Sequence, residues 1–294
     1  MDDMIDSDHE ARGFSLRTAY YLAHASNCAY DQDGNWLEKL GLDDETAEFA
    51  CGEFHGFVGF LDRVAVLAFR GTENLGNCLT DASTQLVSRP PYPGLVHHGF
   101  AEAVEQVWPV VCRLLGPPSE APPLWVTGHS LGGAMATLAS VRLTAEGYTV
   151  RAVYTYGSPR PGDRHFQRAY RLANYRFVND NDLVPHLPFR WCYEHVGELR
   201  LLDEHGNVLA EAATWRGKKR ALRGKAKRLH RAHRRAGKPA ADDDDFDWLS
   251  DHRLAGYLEA LEAVLHGVPR RRRLDGPAAP RRSVAIRARR QDLV

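Results

Sequence analysis

Residues 124–137 read Leu-Trp-Val-Thr-Gly-His-Ser-Leu-Gly-Gly-Ala-Met-Ala-Thr. An apolar run too short for a helix is followed by Gly-His-Ser-Leu-Gly and then by small residues at helical density, which predicts a strand, a tight turn and a helix with Ser130 at the apex. A serine in such a turn projects its hydroxyl, and neighbouring backbone passes close to it only where Gly128 and Gly132 carry no side chain. Ser130 is therefore a candidate nucleophile. The next amide, on Leu131, opens the helix, whose N-terminal dipole faces the same point and would favour an oxyanion formed there. The competing reading is a glycine-rich turn with an idle serine; the strand and helix flanks argue against it.

A serine hydroxyl needs a base, and the base needs an acid to hold its tautomer. Downstream, Tyr175 to Val178 reads as a strand, and the loop Asn179-Asp180-Asn181-Asp182-Leu183-Val184-Pro185 presents carboxylates at its C-terminal end, where open α/β sheets gather catalytic groups. Spacing alone leaves Asp180 and Asp182 equal, because an aspartate in such a loop also serves as a turn former. Among 14 histidines, His252 stands out by following the serine and the acid in chain order, at the entry to an apolar-periodic helix spanning 251–265. Phe69-Arg70-Gly71-Thr72 follows the apolar run 64–68, so Thr72 sits just past a strand end, where a second oxyanion donor is recruited.

Five motifs in order, Phe69-Arg70-Gly71-Thr72-Glu73, Val96-His97-His98-Gly99-Phe100, Gly128-His129-Ser130-Leu131-Gly132-Gly133, Tyr156-Gly-Ser-Pro-Arg160 and Asp182-Leu-Val-Pro-His-Leu-Pro188, resemble those of the class 3 lipases, α/β-hydrolases typified by fungal triacylglycerol lipases. The resemblance covers about residues 14–200 and 249–266. It implies Ser130 as nucleophile, Asp182 rather than Asp180 as acid, and His252 as base. It also implies Thr72 and Leu131 as the oxyanion hole, Asp81 as support for the Thr72 hydroxyl, and no cofactor or metal. The implied function is a serine carboxylester hydrolase, first a lipase on acylglycerols. A phospholipase A, a short-chain esterase and an inert membrane-surface scaffold are the alternatives.

The expected fold is thus α/β: a mostly parallel sheet flanked by helices, in one domain over 1–268, with a lid at 73–95 and a basic insertion at 216–238. Helices are read at 14–30, 99–115, 130–145 and 251–265, and strands at 55–61, 64–69, 124–127, 150–156, 175–178 and 193–202. The lid segment carries only Leu75, Cys78 and Leu79 as apolar surface before Asp81, which predicts weak interfacial activation.

Formal charge is zero but segregated: residues 1–215 hold 16 basic against 28 acidic side chains, whereas 216–238 hold 12 basic and none acidic. Leu222, Ala226, Leu229, Ala232 and Ala236 recur at helical steps within that segment, which reads as an amphipathic helix. It either packs on the acidic body or docks on anionic lipid. Nucleic-acid binding is not expected, since no aromatic platform accompanies the charge. The aspartates at 242–245 lack the glycine and distal glutamate of a calcium loop. The arginine-rich tail 269–294 is too poor in apolar residues to fold alone.

No run of 18 apolar residues is present, and the N-terminus is acidic, without a basic and then apolar leader. Five cysteines lack paired spacing, which favours free thiols, a single Cys28 to Cys51 bridge remaining open. The resulting expectation is a cytoplasmic or non-classically exported chain.

Overall fold

The computed structural model describes residues 13–31, 36–61, 63–72, 85–179, 182–188, 190–202, 208–210 and 252–267. The 73–84 part of the expected lid with Asp81, the basic insertion 216–238, the acidic run 242–245, the tail 269–294 and Asp180 lie outside the described residues.

Eight strands form one sheet in the order β1-β2-β3-β6-β7-β8-β9-β10. They are β1 (Ala47–Cys51), β2 (Phe54–Leu61), β3 (Val64–Phe69), β6 (Leu124–His129), β7 (Val150–Tyr156), β8 (Asn174–Asn179), β9 (Glu198–Leu202) and β10 (Val208–Ala210). From β3 through β9 every pairing is parallel; β1 and β2 at one edge and β10 at the other pair antiparallel. The short strands β4 (Leu86–Ser88) and β5 (Leu95–His97) form a separate ribbon.

Strand periodicity builds the layers. In β3, Ala65, Leu67 and Phe69 join one core with α3 (His98–Leu115) and α4 (Leu131–Ala145), whereas Val64, Val66 and Ala68 join a second core with α1 (Leu16–Cys28) and α6 (Leu254–His266). All six β3 side chains are buried, because a central parallel strand is covered on both faces. The expected α/β class with a mostly parallel, helix-flanked sheet is what the chain adopts. Two short helices, α2 (Trp36–Leu40) and α5 (Arg164–Ala169), and a 3-10 turn at Val184–His186 complete the described elements. Helix ends are locally specified: the Ser15 hydroxyl accepts from Thr18 N–H, Asp163 Oδ1 accepts from Phe166 N–H, and α6 stops at Gly267 with φ +64°.

One expectation needs correction. Residues 193–197 are not strand. Gly197 takes φ +72° where an added Cβ would sit 2.3 Å from Asn174 O, so β9 starts only at Glu198. Cys28 and Cys51 are free thiols, as the unpaired cysteine spacing favours. The strands read at 55–61 and 64–69 pair antiparallel as β2 and β3, and β1, whose mixed AEFAC sequence has no clear period, adds to them.

Candidate active site

Strand β6 runs through the centre of the sheet and turns abruptly into α4 at Ser130, which is buried at φ 59° and ψ −128°. This is a left-handed conformation that side-chain-bearing residues avoid, and it costs on the order of 1–3 kcal/mol. Backbone hydrogen bonds hold it: Ser130 N–H donates to Tyr156 O at 2.9 Å, and Gly133 N–H returns to Ser130 O at 2.9 Å. The glycines are required by space. A Cβ on Gly128 would lie 2.3 Å from Gly132 backbone, and one on Gly132 would lie 2.3 Å from Phe69 O. Leu131 N–H heads the 15-residue α4, among the amides that a helix leaves without an internal acceptor. The chain leaving β3 reaches the same point, since a Cβ on Gly71 would lie 3.1 Å from Ser130 Cβ; half-buried Thr72 follows it.

Asp182, just beyond β8, is fully buried. Its Oδ2 lies 2.8 Å from His252 Nδ1 and accepts from Tyr257 Oη at 2.5 Å, while Oδ1 accepts from Val184 N–H at 2.9 Å. The loop after it is clamped by Arg160, which donates through Nη1 to the carbonyls of His186 and, at 2.5 Å, Pro188. The structure therefore brings Ser130, Leu131, Thr72, Asp182 and His252 to the C-terminal edge of the sheet. Ser130 Oγ and His252 Nε2 are both buried, and neither makes a hydrogen bond in this structure.

Sequence reasoning passed over four residues that organise the site. His129 sits between Tyr30 Oη (2.9 Å from Nδ1) and the backbone carbonyl of His252 (2.7 Å from Nε2), with its ring centroid 4.6 Å from that of His252. Burial first, and the neighbouring His252 second, push its pKa well below the ordinary histidine value, so it is neutral. A carbonyl only accepts, so Nε2 carries the proton and Nδ1 accepts from Tyr30. Tyr257 Oη steadies the Asp182 carboxylate. Gly157 leaves room for the pair: at φ +62°, a Cβ there would lie 2.8 Å from Asp182 Oδ2 and 2.9 Å from His252 Nδ1. Only the elbow motif could have flagged His129, and nothing local marks Tyr30. Among the described residues, no group of three or more His, Cys, Asp or Glu could hold a metal ion.

Comparison with known proteins gives the same family. Residues 66–191 match the model of the class 3 lipases. A secreted mono- and diacylglycerol lipase of Fusarium solani is 32% identical over 174 residues, covering 51% of this chain and 52% of that protein. A lipase of Rhizomucor miehei is 35% identical over 174 residues, covering 53% and 46%. The chain thus aligns with about half the length of these relatives. A solved triacylglyceride lipase structure from Rhizomucor miehei superposes with a TM-score of 0.54 at 28% identity, covering 63% of this chain and 78% of that one. The expected cytoplasmic location is overturned by these relatives, since the Fusarium protein is secreted by name. An acidic N-terminus and unpaired cysteines do not decide location for a fold whose core here holds without a bridge among its described cysteines. The elbow lies within the matched segment and the parallel sheet runs through it, so residues 66–191 are similar to the class 3 lipases in sequence and in fold.

Proposed function

We propose that this chain is a serine carboxylester hydrolase acting on acylglycerols. The observation that carries the reading is the buried Asp182–His252 pair beside a strained serine at the head of α4. Ser130 Oγ attacks the ester carbonyl carbon while His252 Nε2 takes its proton, and Asp182 stabilises the imidazolium. The tetrahedral oxyanion accepts from Leu131 N–H and from Thr72, each donor being worth about 10²–10³ in turnover. The oxyanion collapses, and His252 hands the proton to the departing alcohol. Water then attacks the acyl-Ser130 ester with His252 as base, which releases the fatty acid and restores the serine. On the precedent of its Fusarium relative, this activity is placed outside the cytoplasm.

Hydrolysis of a p-nitrophenyl ester series from acetate to palmitate, by wild type and Ser130→Ala, tests the proposal, with fluorophosphonate labelling of Ser130 alongside. Serine-dependent turnover that peaks at medium or long chains is expected and is then followed onto acylglycerols. A peak at acetate or butyrate would replace the lipase reading by an esterase, and unlabelled Ser130 with no turnover would remove the hydrolase reading.

A further inference from the structure

Among the described residues, only two large apolar side chains are exposed, Trp191 (88%) and Leu95 (37%). They belong to one surface. Gly162 bridges to Val96 on one side and to Glu194 on the other, so the β5 segment carrying Leu95 and the turn carrying Trp191 flank the same loop. That turn is tied at both ends. Arg190 Nε donates to Glu194 at 3.1 and 3.3 Å, and Glu194 N–H donates to Gly162 O at 2.7 Å. Trp191 is therefore held outward by a braced turn.

The surroundings are basic. Arg164 lies 3.9 Å from the same Glu194 carboxylate and is largely exposed, as is much of the Arg190 side chain, so two guanidinium groups share one carboxylate beside Trp191. The surface also faces the right way. The Gly162 loop leaves the C-terminal end of β7, the Trp191 loop leaves the C-terminal end of β8, and Ser130 stands at the C-terminal end of the parallel neighbour β6.

We infer that Trp191, with Leu95, Arg164 and Arg190, docks the protein on anionic phospholipid surfaces and presents the Ser130 edge to them. An indole has an apolar body and one polar N–H, so it rests at headgroup depth, while arginines reach headgroup phosphates with their stems on apolar surface. Each basic side chain near an anionic surface adds attraction. Among the described residues no helix is long and apolar enough to cross a membrane. The inference rests on the hydrolase reading only for the orientation of the site.

The test is co-sedimentation of the full chain with phosphatidylcholine vesicles, with and without phosphatidylserine, using wild type, Trp191→Ala and Arg164→Gln. Turnover of a dissolved short-chain ester and the thermal midpoint verify folding. Tighter binding to the anionic vesicles is expected, weakened about tenfold by Trp191→Ala and about fivefold by Arg164→Gln, with dissolved-ester turnover unchanged. Equal binding by wild type and Trp191→Ala, or no preference for the anionic vesicles, overturns the inference. So does a concentration-dependent dimer, or a soluble protein complex, lost in Trp191→Ala without vesicle binding. Trp191-dependent anionic binding by a chain inactive on esters supports the surface and removes the hydrolase reading. Ester turnover with Trp191-independent binding does the reverse.

Discussion

His129 Nε2 lies 2.7 Å from the backbone carbonyl oxygen of His252, so the residue before the elbow serine holds the segment that carries the proposed base. The two histidines are 123 positions apart, and the contact joins the central strand to the chain entering α6. Tyr30, at the end of α1, completes the relay by donating to His129 Nδ1.

His129→Phe keeps a ring in the site and removes the donor. Loss of one net hydrogen bond should lower kcat by about tenfold on a dissolved ester and leave KM unchanged, because His129 is placed to position the base and not the acyl group. Tyr30→Phe should cost less, since the Nε2 contact survives. A KM effect larger than the kcat effect in His129→Phe would show the residue acting on substrate.

Asp182 concentrates three donors on one carboxylate. Asp182→Asn presents an amide to His252 and should cost about 10⁴ in kcat, the size of the loss when a triad acid is neutralised. Asp180→Asn should be mild, and the opposite ranking would transfer the acid's role. Tyr257→Phe removes the 2.5 Å donor and should destabilise the fold by about 1.5–3 kcal/mol, as for a hydrogen bond to a charged group. Urea unfolding of the variant reads that loss.

The left-handed backbone of Ser130 predicts that two inactive variants differ in stability. Ser130→Ala keeps a Cβ in a conformation that disfavours one, whereas Ser130→Gly relieves it. Ser130→Gly should be more stable than Ser130→Ala by about 1 kcal/mol in urea unfolding, with turnover abolished in both. Equal stabilities would mean that the turn stores no strain.

What could be read in the sequence was local. The elbow announced itself because strand, turn and helix need different residues within 14 positions, and β7 was legible over 150–156 as the strand that follows the elbow helix. Thr72 was legible as a strand end. His252 was chosen by chain order, and Asp182 over Asp180 only by family resemblance, because a turn aspartate and a catalytic one look alike in sequence. His129 and Gly157 meet His252, and Tyr30 meets His129, through contacts set by the order of the sheet, which no local pattern encodes. The 193–197 segment misread as strand shows the same limit: its apolar residues pack, but Gly197 crossing Asn174 decides where pairing starts.

Acid should unfold this protein through histidines buried in neutral form. His97, which caps α3 by accepting from Phe100 N–H, has its pKa pushed down to about 3 by burial and then by the adjacent His98. His129 and His195 are lowered as well, chiefly by burial. Between the unfolded value near 6.5 and about 3 the unfolded chain holds the extra proton, so stability is complete above 6.5 and falls as pH drops. Each such group contributes about 1.4 kcal/mol per pH unit in that window. His97→Asn retains a capping acceptor without a titrating ring, so the slope of unfolding free energy from pH 6 to pH 4 should flatten by about one proton. An unchanged slope would mean that His97 is charged in the fold.

Gly157 faces the acid and the base at once, which makes it a sensitive probe of their packing. An alanine there meets two costs: a left-handed φ of +62°, and a methyl group 2.8 Å from Asp182 Oδ2 and 2.9 Å from His252 Cε1 and Nδ1. The carboxylate cannot retreat, because Val184 N–H and Tyr257 Oη hold it, so the imidazole must yield and the 2.8 Å Asp182–His252 contact opens. Gly157→Ala should therefore lower kcat by at least about 10², the scale of a misplacement near 1 Å, and cost about 1–3 kcal/mol in stability. Gly147→Ala serves as the control. It also takes a left-handed φ, +97°, but its nearest neighbour would be Pro118 Cβ at 3.6 Å, so it should lose stability while keeping kcat. Matching kcat losses in the two variants would trace the effect to backbone strain and not to the packing of the catalytic pair.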